Sequence, residues 1–141
     1  MAIERTLAIV KPNAVASGHI GQIIDRIERE ALVIRELRMT QLTPEACKEF
    51  YREHVGKPFY HTLEAFMIEG PVVVICLEGD NSITRWRDLM GATDPAKAAK
   101  GTLRQQFGES HTKNATHGSD SPASAERELD FFFGTHIFTQ S

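Results

Sequence analysis

Two cysteines, Cys47 and Cys76, are all that this chain offers to sulfur chemistry, and no CxxC pair joins them. That argues against a disulfide-stapled secreted scaffold and a thiolate zinc site, and reads as two free thiols in a reducing cytosol. Apolar runs are short, none approaching the roughly 20 residues of a membrane span. The segment from Met1 to Lys11 lacks a basic stretch followed by a long apolar one, so no secretory signal is expected. Positive charge is not in excess. A net charge of −3 argues against bulk nucleic-acid binding, which draws on a basic face, and leaves room for a small basic pocket. There is no internal repeat and no low-complexity linker. Familiar phosphate-binding loops are missing too. Gly56-Lys57-Pro58 has neither the leading glycine nor the Ser/Thr of a Walker A loop, and the glycine-rich and catalytic-loop signatures of protein kinases are absent.

What is present suits one globular domain, residues 1–141, with 41% hydrophobic and 25% charged residues. Thr6 to Val10 reads as a buried strand that ends at Lys11-Pro12. Ile20, Ile23, Ile24, Ile27 and Ala31 fall on one helical face. Leu32 to Leu42 mixes apolar and charged positions, as a half-exposed strand does. Thr43-Pro44 supplies an N-cap and first turn for a helix through about His54. A further helix carries Phe59, Leu63, Phe66 and Met67. The run Val72 to Leu77 is the clearest buried strand. Ile83, Trp86, Leu89 and Met90 mark a helix stopped near Gly91. Gly91 to Lys113 reads as a long loop with short helical turns, and loops of that length are usually functional. A short strand leads to His117, and Ser121-Pro122 starts a last helix with Ala125, Leu129, Phe132 and Phe133 inside. This order predicts an α+β domain with a largely antiparallel sheet and helices on one side, compatible with a ferredoxin-like βαββαβ core carrying insertions.

The polar stretch Asn114-Ala115-Thr116-His117-Gly118-Ser119-Asp120 places a histidine between the long loop and a helix start. Imidazole titrates near neutral pH and serves as base, acid, metal ligand or nucleophile. Without a Walker A loop, phosphate handling would fall to cationic side chains. Lys11, Arg87 and Arg104 are the candidates, each near the end of an element or in the long loop.

The stretch, extended to Ser121, resembles the active-site signature of nucleoside diphosphate kinases, Asn-x-x-His-Gly-Ser-Asp-Ser. Lys11-Pro12-Asn13-Ala14 resembles that family's Lys-Pro motif. Arg87-x-x-x-Gly91-Ala92-Thr93-Asp94-Pro95 resembles its arginine and threonine loop, and Gly101-Thr102-Leu103-Arg104 its Gly-Thr-Ile/Leu-Arg segment. Phe50-Tyr51 and Lys57-Pro58-Phe59-Tyr60 resemble its aromatic block. The likeness runs from residue 3 to about 133 with the motifs in order.

The resemblance implies a four-stranded antiparallel ferredoxin-like sheet and a ping-pong kinase. His117 would take the γ-phosphoryl group from a nucleoside triphosphate, mainly ATP, and pass it to a nucleoside diphosphate, maintaining the (d)NTP pools. Glu128 would hold the other ring nitrogen, fixing the tautomer. Lys11 and Tyr51 would stand at the transferring phosphoryl and the 3′-hydroxyl, with the Ser119 hydroxyl nearby. Arg87, Thr93 and Arg104 would hold the diphosphate, Asn114 the ribose and phosphate, and Phe59 the base by stacking, with purines and pyrimidines alike accepted. Mg²⁺ would ride on the nucleotide phosphates, reached by Asp120 only through water, with no dedicated protein cage. The family further implies a cytoplasmic homo-oligomer, a tetramer or hexamer built from dimers, or a dimer, to which the long loop and the tail Gly134 to Ser141 contribute.

Two positions depart from the family pattern. Asn13 replaces the more usual aspartate, and His111 stands where an aliphatic residue usually flanks the base. Three rival readings are weaker. Gly18-His19-Ile20-Gly21 fits the GxxG loop of a KH-like nucleic-acid binder, but its middle pair contains an apolar residue. His54, His61, His111, His117 and His136 match no zinc spacing. His117, Ser119 and Asp120 lie too close together on extended backbone to form a hydrolase triad, and no G-x-S-x-G elbow is present.

Overall fold

Burial of the apolar runs organises the fold. A computed structural model describes residues 3–134. Its strands are β1 (Ile3–Val10), β2 (Val33–Thr40), β3 (Val72–Asp80) and β4 (Thr116–Gly118), in the order β2-β3-β1-β4. Every neighbouring pair is antiparallel. The helices are α1 (Pro12–Ala16), α2 (Ile20–Arg29), α3 (Pro44–Phe50), α4 (Tyr60–Met67), α5 (Ser82–Met90), α6 (Leu103–Phe107) and α7 (Pro122–Phe133), with a 3₁₀ turn at Pro95–Lys97. This is the ferredoxin-like arrangement, with Gly91 to Lys113 as the insertion.

Helices cover both faces of the sheet, not one. The alternation of β1 and β3 explains why. Leu7, Ile9, Val74 and Cys76 pack with Cys47 and Phe50 of α3, Phe66 of α4 and Leu129 of α7. Ala8, Val10, Val73 and Ile75 pack on the opposite face with Ile23 and Ile27 of α2, Trp86 and Met90 of α5 and Leu103 of α6. A central strand that is apolar at consecutive positions must be covered on both sides, since successive side chains point to opposite faces. β2 is the edge strand, and there Leu37 and Met39 remain exposed.

Local boundaries follow the chain's own capping chemistry. Thr43 caps α3 by accepting from Ala46 N, and Pro44 fits the first turn. That helix ends at Phe50, short of the predicted His54, and residues 51–56 run on as turns. Phe59 sits at the N-cap of α4 rather than inside it. Ala31 is not on the buried face of α2. It lies beyond the helix with φ +60°, exposed, where the chain turns toward β2. Ser121 and Ser124 form a reciprocal capping box at the start of α7. The predicted tail contacts beyond Gly134 lie outside the described residues.

Candidate active site

His117 is held from three sides. It sits in the middle of β4, opposite Ile9 of β1, so its ring emerges on the α3/α7 face. Its backbone carbonyl accepts from the Trp86 indole N–H at 3.0 Å. The ring meets Phe50 edge-on, centroids 5.4 Å apart, and Nε2 lies 2.9 Å from Glu128 Oε1. Ser119 Oγ donates to the same carboxylate oxygen at 2.8 Å and accepts from Leu7 N at 3.2 Å. An ionised carboxylate only accepts, so this geometry makes Nε2–H the donor and leaves the Nδ1 lone pair free. Nδ1 has no hydrogen-bond partner among the described residues.

Gly118 explains why the histidine precedes a glycine. It faces the α5 side, opposite Ala8. A Cβ there would come within 2.6 Å of both Met90 Cε and Trp86 Cδ1. Gly118→Ala is therefore expected to cost about 1–3 kcal/mol of stability by overpacking. It should also weaken the indole bond that positions His117. Thermal unfolding checks it, an unchanged Tm being the contrary result.

The cations converge from two directions. Lys11 follows β1 directly. Its backbone N–H donates to Ala115 O at 2.7 Å, and its Nζ donates to Asn114 Oδ1 at 2.8 Å. Burial, aided by the neighbouring Arg104 charge, lowers the Lys11 ammonium to about 7. Asn114 donates in turn to Thr93 O at 3.0 Å, tying Lys11 to the long loop. The Thr93 side chain lies in the exposed part of that loop. Arg104 donates through Nη1 to Gly91 O and through Nη2 to Thr116 O, at 3.1 and 2.9 Å. Its Nε is buried without a partner. Burial, together with Arg87, lowers this guanidinium to about 10, still cationic at neutral pH. Arg104 thus bolts the end of α5 to β4 and keeps N–H donors to spare.

Arg87 of α5 and Asp120 reach the cleft that His117 lines, a cavity of about 180 Å³. The Ser124 hydroxyl holds the Asp120 carboxyl below its ordinary range, with burial opposing and Arg87 assisting. Tyr51 lines the same cleft. Its hydroxyl is buried without a partner, and burial pushes its ionisation far up, so it stays a neutral donor. Phe59 is 50% exposed, which rules out core packing. No group of three or more His, Cys, Asp or Glu side chains that could hold a metal lies among the described residues.

The structure thus gathers His117, Ser119, Glu128, Tyr51 and Arg87 at one cleft, with Lys11, Arg104 and Asn114 chained together by hydrogen bonds around β4. Phe59 connects through His54, which the sequence weighed only as a helix end and as a metal ligand. The His54 ring lies 6.2 Å from Tyr51 and 5.6 Å from Phe59 and lines the cleft. In sequence it is one polar residue at a helix end, with no motif around it. Arg127, passed over in the sequence, lines the cleft beside Glu128. His111 is exposed, in the loop between Ser110 and Thr112.

A histidine with one nitrogen pinned to a carboxylate and the other free, in a cleft flanked by cations and aromatic rings, is an arrangement suited to nucleophilic chemistry on an anionic substrate. Comparison with known proteins is specific. The model of the nucleoside diphosphate kinase family matches residues 4–137. Nucleoside diphosphate kinase 1 of Protochlamydia amoebophila (strain UWE25) is 53% identical over 133 residues, covering 94% of each chain. An Aquifex aeolicus nucleoside diphosphate kinase structure superposes with TM-score 0.91 at 47% identity, covering 94% of this chain and 96% of that one. A halophilic nucleoside diphosphate kinase from Halobacterium salinarum, solved in complex with CDP, gives TM-score 0.91 at 39% identity, covering 94% and 88%. The chain belongs to the nucleoside diphosphate kinase family, and its activity is phosphoryl transfer between nucleoside tri- and diphosphates. The KH-like reading falls with that assignment: the Gly18–Gly21 turn opens α2, where the His19 ring packs 4.5 Å from Phe107.

Proposed function

We propose that His117 is the residue that carries the phosphoryl group, through Nδ1. The observation that carries this reading is the 2.9 Å contact between Nε2 and Glu128, which leaves Nδ1 as the nitrogen with a lone pair to give. The Nδ1 lone pair attacks the γ-phosphorus. The bond from phosphorus to the β,γ-bridging oxygen breaks, and the diphosphate leaves with that electron pair. The ring gains positive charge, which Glu128 meets across Nε2–H. An acceptor diphosphate then reverses these steps. Charge in such transfers spreads over phosphoryl oxygens, so positioned cations supply most of the stabilisation.

Lys11 and Tyr51 serve the transferring phosphoryl group and the 3′-hydroxyl, and Ser119 steadies Glu128. Arg87, Thr93 and the spare donors of Arg104 hold the diphosphate. Asn114 orients Lys11 and meets the ribose and phosphate, while the exposed Phe59 ring stacks on the base. The CDP complex of the Halobacterium relative supports binding of a nucleoside diphosphate by this chain. Asp120 is the carboxylate that would meet the water shell of a Mg²⁺ ion carried by the nucleotide phosphates, an ion that would supply charge neutralisation. Residues 1–141 act as one catalytic domain in the cytoplasm, as a tetramer or hexamer built from dimers, drawing mainly on ATP to maintain (d)NTP pools. Among the described residues no helix is long and apolar enough to cross a membrane.

The direct test incubates the protein with γ-labelled ATP, isolates acid-labile label on His117, and adds a diphosphate acceptor. The expected result is complete transfer to the acceptor. Acid-stable label, or none, overturns the proposal.

His111 supplies a second test, of base selection. We place it at the base pocket rim opposite Phe59. Acid can place a positive charge on an imidazole at such a rim. Charging weakens apolar contact with a base and strengthens cation–π contact, opposing effects each on the order of 1 kcal/mol. KM for ADP and for CDP between about pH 5.5 and 8 should therefore diverge, and His111→Val should remove the divergence. Overlaid profiles would make His111 a bystander.

A further inference from the structure

Glu128 is 6% exposed, and its Oε1 already accepts from His117 Nε2 and Ser119 Oγ. Its other oxygen faces a single cation within 4 Å, Arg127 Nη2 at 3.6 Å. A buried carboxylate without a countercharge is costly and takes up a proton readily. Arg127 does more than neutralise. Its Nη1 donates to Phe50 O at 3.3 Å, and the Phe50 ring packs edge-on against His117. The two arms of one guanidinium therefore reach the two groups that hold the imidazole, one from α7 and one from the end of α3.

We propose that Arg127 is a positioning residue for phosphoryl transfer: its charge tempers how strongly Glu128 attracts the His117 ring proton, and its second arm fixes the Phe50 wall. This rests on His117 being the phosphorylated residue. Without Arg127, the uncompensated Glu128 carboxylate draws positive charge onto the ring more strongly, which opposes attack by Nδ1. The other charged or titratable groups facing this pair are Tyr51, Glu53 and His54 after α3, Arg87 of α5 and Asp120 after β4. Among the described residues Arg127 is the arginine or lysine within 4 Å of the Glu128 carboxylate.

The experiment is single-turnover phosphorylation of the full chain by γ-labelled ATP, from about pH 6 to 9. It compares wild type, Arg127→Ala, Arg127→Gln and Arg127→Lys. The glutamine variant removes the charge and keeps a side-chain N–H donor. The alanine and glutamine variants should be slower by about fivefold near pH 6.5 and within about twofold of wild type near pH 8.5. The ATP concentration for half-maximal rate should stay unchanged, and Arg127→Lys should restore the wild-type profile. A loss equal at every pH, an unchanged profile, or a loss confined to ATP affinity overturns the proposal. Absence of acid-labile label on His117 in the wild type would instead overturn the histidine assignment beneath it.

Discussion

His117→Ala should abolish both labelled phosphoenzyme and nucleotide-dependent transfer while leaving the fold intact. Among the described residues the imidazole is the only ring in the cleft with one nitrogen fixed by a carboxylate and the other free. Neither neighbouring hydroxyl can take over: Tyr51 is held neutral by burial, and Ser119 Oγ is spent on Glu128 and Leu7 N. The fold should survive because the Trp86 bond is to the backbone carbonyl, which alanine retains, and because Glu128 keeps Ser119 and Arg127 as partners. Circular dichroism and thermal unfolding close to wild type, with no label, is the expected pair of results. Label at wild-type level in this variant would remove His117 from the mechanism.

Loss of Lys11 should be the next largest effect. Lys11→Ala and Arg104→Ala should each lower kcat/KM by at least about tenfold, since a charge-assisted phosphate contact is worth roughly 1.5–3 kcal/mol. Arg104→Ala should also lower Tm, because it removes the bonds to Gly91 and Thr116. Lys11 adds a pH signature. With its ammonium lowered to about 7, the free enzyme carries the useful charge below that pH and loses it above. The wild type should then lose kcat/KM as pH rises through about 7, since this parameter reports the free enzyme. Lys11→Arg, whose guanidinium stays charged, should flatten that limb. Stability of the nucleotide-free protein runs the opposite way. Between about 7 and the ordinary 10.5 the unfolded chain binds the extra proton, so the Lys11 contribution to stability rises with pH across that window. Wild-type kinetics in both alanine variants would place the phosphate path elsewhere.

The His117 stretch was legible because its residue types and order are chemically constrained: the glycine by Trp86 and Met90, the serine by Glu128, the next serine by the cap of α7. β1 and β3 were legible as apolar runs, and the edge character of β2 as a mixture. Which sheet face each helix would cover was not. A helix's apolar stripe shows that it packs, and the strand parity that sorts Leu7 from Ala8 becomes informative only once partners are known. The places of His54 and Arg127 in the cleft were invisible for a related reason. Each looks like an ordinary charge at a helix end or on a helix surface, and acquires meaning only from neighbours brought close by the fold, such as Phe59 and Glu128. The second role of Arg104, donation to two carbonyls, leaves no trace in composition or spacing.

The position of β4 has a consequence for how the chain comes alive on the ribosome. Its three residues pair only with β1, and the Ser119 hydroxyl meets the Leu7 amide across 112 positions of chain. Closing so long a loop is entropically slow, and its reward arrives only when both ends are present. β1, β2, β3 and the first five helices can assemble while the last quarter of the chain is still being made, yet Glu128 lies beyond even β4. Catalytic competence thus waits for residues beyond β4. In a refolding experiment, recovery of phosphoenzyme should trail formation of the β1–β3 ladder rather than accompany it.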